Sequence, residues 1–122
     1  MGSILDNILI GNQSASDEHI LKVLKLANAN FVLELEDRLE TLVGFEDRGV
    51  QLTLSQQHRI VLARALISDP RLILLDDITE GLDPTGLCQV QTAINNILKL
   101  VNENQDMTVV VVTQSVNTIE QT

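Results

Sequence analysis

The sequence predicts an α/β fold in which parallel strands are covered by helices. Two short unbroken apolar runs, LILL at residues 72–75 and VVVV at 109–112, have the composition of strands buried on both faces of a parallel sheet. A helical pattern between them supplies the crossover that parallel strands require. A second helical pattern precedes the first run, so the order is helix, strand, helix, strand.

Taken in order, residues 12–16 form a polar turn, and Ser16 caps a helix over 17–28. Asp17 and Glu18 lie in its first turn, where the helix dipole favours negative charge. Ile20, Leu24 and Ala27 make its apolar stripe. Residues 31–35 continue as a short apolar helical turn. Residues 39–50 hold two glycines and no lasting periodicity, which reads as a loop. Thr53 followed by Gln56 is a capping box and opens a helix over 54–67. Apolar residues lie nearly all around that helix, the mark of a buried one.

Ser68, Asp69 and Pro70 stop the helix before the first strand. Asp83 with Pro84 is an N-cap followed by proline at the first helical position. Behind it Leu87, Val90, Ile94, Ile97 and Val101 repeat every three or four residues, and the helix ends near 102–106. After the second strand, residues 115–121 suit a short terminal helix.

Composition narrows the function. A chain of 122 residues is one domain or a piece of one, and a 44% hydrophobic content is enough for a core. The net charge of -9 argues against nucleic acid or an anionic membrane as a direct partner. The single cysteine, Cys88, cannot close an internal disulfide and reads as a plain thiol in a reducing compartment. The first residues lack the basic start and apolar run of a signal peptide. No stretch approaches the roughly 20 apolar residues that span a bilayer. His58 reads as a partly exposed helix histidine, His19 has no evident role, and Arg59 and Arg64 are expected in ion pairs.

Ligands of open α/β sheets sit at the carboxyl ends of the strands, where Asp76, Asp77, Thr113 and Gln114 fall. Two acids after a strand can also do no more than start a turn. The capped start of the 54–67 helix offers amides and a positive dipole end to an anion, or it is only a cap.

The run GVQLTLSQQHRIVLARALISDPRLILLDDITEGLDP (49–84), with SILDNILIG (3–11) and TVVVVTQSVNTI (108–119), resembles the nucleotide-binding domain of exporter-type ABC transporters. Pairing without gaps puts the family's LSGGQ signature on Leu52, Thr53, Leu54, Ser55 and Gln56, and the visible LSQQH is a decoy. The chain contains no G-x-x-x-x-G-K-[ST] run. The resemblance therefore implies the C-terminal part of a P-loop NTPase (ABC ATPase-like) domain, with 1–67 the helical and signature portion and 68–122 the Walker B, D-loop and H-loop portion.

It further implies ATP and Mg2+ as cofactors. Asp76 is the Walker B metal residue, while Asp77 stands for the catalytic glutamate and Gln114 for the switch histidine. Thr53, Leu54, Ser55, Gln56 and Asp83 are the residues that contact nucleotide across a dimer. The implied partners are a second nucleotide-binding domain and transmembrane domains, with the chain at the cytoplasmic face of a membrane and not inserted in it. Leu54 with Ser55, Asp77 and Gln114 depart from the family pattern, which implies a degenerate, slow site. A non-catalytic interaction module derived from such an ATPase is the alternative. A receiver-like phosphoacceptor domain needs a lysine near the second strand's end, and residues 109–114 have none.

Overall fold

The computed structural model describes residues 3–10, 12–35, 38, 51–103 and 106–112. Its elements are α1 (Ile4–Leu9), α2 (Asp17–Leu26), a 3-10 turn (Asn30–Glu34), α3 (Leu54–Ile67), β1 (Leu72–Asp76), α4 (Pro84–Glu103) and β2 (Thr108–Val112). The strands pair in parallel, with Leu72 opposite Thr108 and Asp76 opposite Val112. The α/β class and the parallel sheet are as the sequence predicts. The expected loop at 39–50 and helix at 115–121 lie outside the described residues.

Each helix start follows from a local cap. The hydroxyl of Ser16 accepts the His19 amide at 3.1 Å. That of Thr53 accepts the Gln56 amide at 3.1 Å, and the Gln56 side chain accepts the Thr53 amide at 2.9 Å. Such caps are each worth about 1 kcal/mol. One element escaped the sequence reading: α1, which opens on a capping box of Ser3 with Asp6. Its S-x-x-D signal was present in the sequence.

The core forms where α3 packs against α1, α2 and α4. Ile4 and Ile8 of α1, Leu24 of α2, Leu62 and Ile67 of α3, and Ile94 and Ile97 of α4 are all but fully buried. Each side chain of this size contributes about 1.5–3 kcal/mol by leaving water. Carbonyls freed at the helix C-termini are satisfied by polar side chains of neighbouring elements. Ile67 O lies 3.1 Å from Nε2 of His19 and accepts from Nδ2 of Asn12 at 3.4 Å. Leu26 O accepts from Nδ2 of Asn96 at 3.2 Å. His19, which had no role in the sequence reading, thus ties α2 to the end of α3 and lies 3.6 Å from Asp69.

Two expectations are corrected. The strands are covered on one face only: Ile73 and Leu75 are buried, whereas Leu72 is 62% exposed, Leu74 63% and Val110 42%. Alternate residues of a strand point to opposite faces, and the described helices cover the Ile73–Leu75 face alone. The α3 helix is likewise not buried all around, because Leu54 and Val61 are exposed. Among the described residues no helix is long and apolar enough to cross a membrane.

An uncovered apolar face beside a strand edge that no described residue pairs favours association. Sedimentation velocity on this chain is expected to show dimers or larger species. The double variant Leu72→Lys, Leu74→Lys is expected to move the distribution toward monomer without loss of helical circular dichroism.

Candidate functional site

The N-termini of α3 and α4 meet at a groove of about 460 Å3 lined by Thr53, Leu54, Ser55, Gln56, Arg59, Leu82, Asp83, Gly86 and Gln89, among others. On the α3 side the cap engages the amides of Thr53 and Gln56, and the Gln57 amide bonds to the Thr53 carbonyl at 2.9 Å. The Leu54 and Ser55 amides are the first-turn donors that the cap leaves over. On the α4 side Asp83 is the N-cap that the Asp-Pro pair predicts: its Oδ1 accepts the Gly86 amide at 2.7 Å, and its carbonyl accepts the Leu87 amide at 2.8 Å.

The helix starts approach closely because residue 86 is glycine. A Cβ there would lie 2.7 Å from Asp83 Oδ1 and 3.1 Å from Ser55 Cβ. Ser55 is buried and its hydroxyl donates to Gln89 Oε1 at 3.0 Å, so its side chain is occupied inside the fold. Leu54 is exposed and rests near Gly81, whose φ of 79° suits a residue without a side chain. All five residues assigned by resemblance to nucleotide contact (Thr53, Leu54, Ser55, Gln56 and Asp83) therefore line one groove.

Two residues that sequence reasoning undervalued hold the groove together. Arg59 is only 6% exposed, and its partners among the described residues are neutral oxygens and a ring rather than a carboxylate. Its Nη1 donates to Asn28 O at 2.8 Å, Nη2 to Gln89 Oε1 at 3.2 Å and Nε to Ser55 O at 3.2 Å. Its guanidinium carbon sits 4.8 Å from the centroid of Phe31, a cation–π distance. Burial pushes the guanidinium pKa down from its ordinary value. Gln89 accepts from both Ser55 and Arg59, and its carbonyl accepts from Asn28 Nδ2 at 3.0 Å. Asn28 itself has φ 53°, a left-handed turn that asparagine tolerates. Arg64 also forms no ion pair among the described residues.

The acidic pair lies elsewhere. Asp76 ends β1, is exposed, and lines a different groove of about 470 Å3 with His58, Val61, Leu72 and Leu74 among others. Asp77 lines neither groove; it is half-buried, has φ 53°, and its carbonyl accepts the Glu80 amide at 3.1 Å in the turn after the strand. Among the described residues no three of His, Cys, Asp and Glu converge as metal ligands. Magnesium commonly uses one or two carboxylates with water and substrate phosphates, and an exposed Asp76 fits one position in such a set. Gln114 lies outside the described residues. Cys88 is exposed and free.

Arg59→Leu is expected to lower stability by about 1–3 kcal/mol, the cost of stranding buried acceptors, as read by urea unfolding. Arg59→Lys is expected to recover little, because an ammonium cannot span three acceptors as the planar fork does. A second expectation concerns pH. Burial lowers the pKa of His58, so the unfolded chain takes up a proton before the folded one as pH falls. The stability that neutral His58 allows is present above about pH 6.5, the ordinary imidazole value, and is lost as pH drops through the folded pKa. His58→Gln should flatten that acid limb in urea midpoints measured across pH.

No model of a known protein family matches the chain. Individual relatives do. ABC transporter B family member 4 of Dictyostelium discoideum is 42% identical over 98 residues, which is 80% of this chain and 12% of that protein. ABC transporter B family member 1 of the same organism is 40% identical over 119 residues, 97% of this chain and 12% of the relative. The ATP-dependent permease MDL1 of Candida albicans is 37% identical over 120 residues, 98% of this chain and 17% of the permease. The chain thus spans less than a fifth of the length of each of these curated relatives. Over most of its residues this chain is homologous to ABC transporter B family proteins, and it corresponds to one short segment of them.

Proposed function

We propose that the chain is the signature-to-Walker B portion of a P-loop-type nucleotide-binding domain, 1–67 forming the helical and signature part and 68–122 the Walker B, D-loop and H-loop part. In that reading it helps to close an ATP site in a transporter. The observation that carries it is the groove where the α3 N-terminus, with the Leu54 and Ser55 amides left over by the cap, meets Asp83. A helix N-terminus of this kind receives phosphate oxygens. Thr53, Leu54, Ser55, Gln56 and Asp83 would face the terminal phosphate of a nucleotide held by a second nucleotide-binding domain. The separation of Asp76 from that groove suits a chain that contributes to two different composite sites.

Asp76 would hold Mg2+, which when bound neutralises phosphate charge. Asp77 would orient water and take its proton, with a carboxylate one methylene shorter than glutamate. A misplacement of about 1 Å can cost roughly 100-fold in rate. Gln114, an amide, would hydrogen-bond near the phosphate but cannot exchange a proton near neutrality. These departures together support slow turnover, with transmembrane partners and a second nucleotide-binding domain completing the machine at the cytoplasmic face of a membrane. A non-catalytic docking module is the second reading, favoured by the uncovered face of Leu72, Leu74 and Val110.

Calorimetric titration of this chain with Mg-ATP is expected to give no saturable heat, because no phosphate-wrapping loop is present in its sequence. A micromolar dissociation constant would overturn the assignment of portions. Within a complete domain carrying a P-loop, Asp77→Glu, Gln114→His, Leu54→Gly and Ser55→Gly combined should raise ATP turnover well beyond any single change, since groups acting in one transition state are non-additive. Unaltered turnover with nucleotide still bound would remove the assigned roles and leave the docking module.

A further inference from the structure

All three lysines of the chain, Lys22, Lys25 and Lys99, line a single groove of about 320 Å3 between α2 and α4. Lys22 and Lys25 are neighbours one turn apart on α2, and Lys99 comes from α4. The cluster therefore exists only once the two helices have packed. Its floor is apolar, made by the half-buried Leu26 and Leu100. The Asn96 side chain, bonded to Leu26 O at 3.2 Å, fixes the helix crossing at that floor. Past Lys22, Leu26 and Leu100 the groove continues into a smaller one of about 100 Å3 that reaches Met107, giving an elongated trough.

Among the described residues the three ammonium groups meet Glu103 in this groove, and Asp69 lines only its extension beside His19. The lysines make a local positive field on a chain whose net charge is -9. Lys25 also complements the dipole in the last turn of α2, but that accounts for neither Lys22 nor Lys99. We propose that this trough docks an acidic, leucine-containing peptide segment of a partner protein, its carboxylates on the lysines and its apolar side chain on Leu26 and Leu100. Charge complementarity selects the acidic strand, and the recessed floor selects the apolar anchor. A lipid surface fits less well, because a planar headgroup layer does not reach a floor set between two helices. The inference is independent of any role in ATP binding.

The test is fluorescence anisotropy of a labelled peptide alternating glutamate and leucine, titrated with the full chain. Saturable binding is expected, weakened about tenfold by Lys22→Gln with Lys99→Gln, as the loss of two ion pairs worth up to about 1 kcal/mol each implies. Binding should also weaken as salt shortens the Debye length and should strengthen in Glu103→Gln. Arg71→Gln, an exposed change outside the trough, should bind like the parent. All these side chains are exposed, so circular dichroism should match across the variants. No saturable binding, equal binding of the glutamine-for-glutamate peptide, or indifference to the lysine changes would overturn the proposal. Lysine-dependent binding to phosphatidylserine vesicles without peptide binding would overturn it in favour of a membrane contact.

Discussion

The buried guanidinium of Arg59 is the contact on which the geometry around the α3 and α4 N-termini depends. It reaches the end of α2 through Asn28 O, its own helix through Ser55 O, and α4 through Gln89. Three helices distant in sequence are thereby held at one point. A buried cation costs several kcal/mol in desolvation unless its donors are satisfied, and here neutral oxygens and the face of Phe31 satisfy them. The same Gln89 oxygen receives the Ser55 hydroxyl. The packing of Gly86 against Ser55 and the seating of Arg59 are therefore parts of one arrangement.

Local signals in the sequence were enough to locate the helices. Thr53 with Gln56 and Asp83 with Pro84 mark the starts of α3 and α4 because a cap is a contact between residues three apart, visible without any tertiary knowledge. α3 runs over the expected residues, while α2 stops at Leu26, two residues short of the reading, because Ala27 and Asn28 leave the helix toward the left-handed turn at Asn28. The α1 helix is equally legible from the capping box of Ser3 and Asp6. What sequence could not supply was the far side of each contact. The LILL run looks the same whether one face or both are covered, and only packing showed Leu72 and Leu74 to be open. Arg59 reads as an ion-pair partner because acids abound in the chain, yet its acceptors are a carbonyl 31 residues away and an amide 30 residues away.

The candidate site was legible as residues and not as an arrangement. Thr53 to Gln56 and Asp83 share a groove although nearly 30 residues separate Gln56 from Asp83 in sequence, since the strand between the two helices returns the chain to the start of α3. Asp76 and Asp77, adjacent in sequence, diverge because the left-handed backbone at Asp77 turns the chain out of the strand. Adjacency along the chain suggested one acidic pair with one purpose; the backbone separates them into an exposed strand terminus and a half-buried turn.

The two-stranded sheet sets how the molecule would come apart. Among the described residues β1 has a single hydrogen-bonded neighbour, and that neighbour is joined to it only through the whole length of α4. Its amides on the free edge are held by no ladder, whereas the amides of α3 lie in a helix packed against three others. Free energy of local opening should thus rise from the strands inward to α3, so that hydrogen exchange would register the sheet as a separate, weaker unit. Whatever covers the free edge and the open face of β1 would convert that graded opening into a single cooperative one.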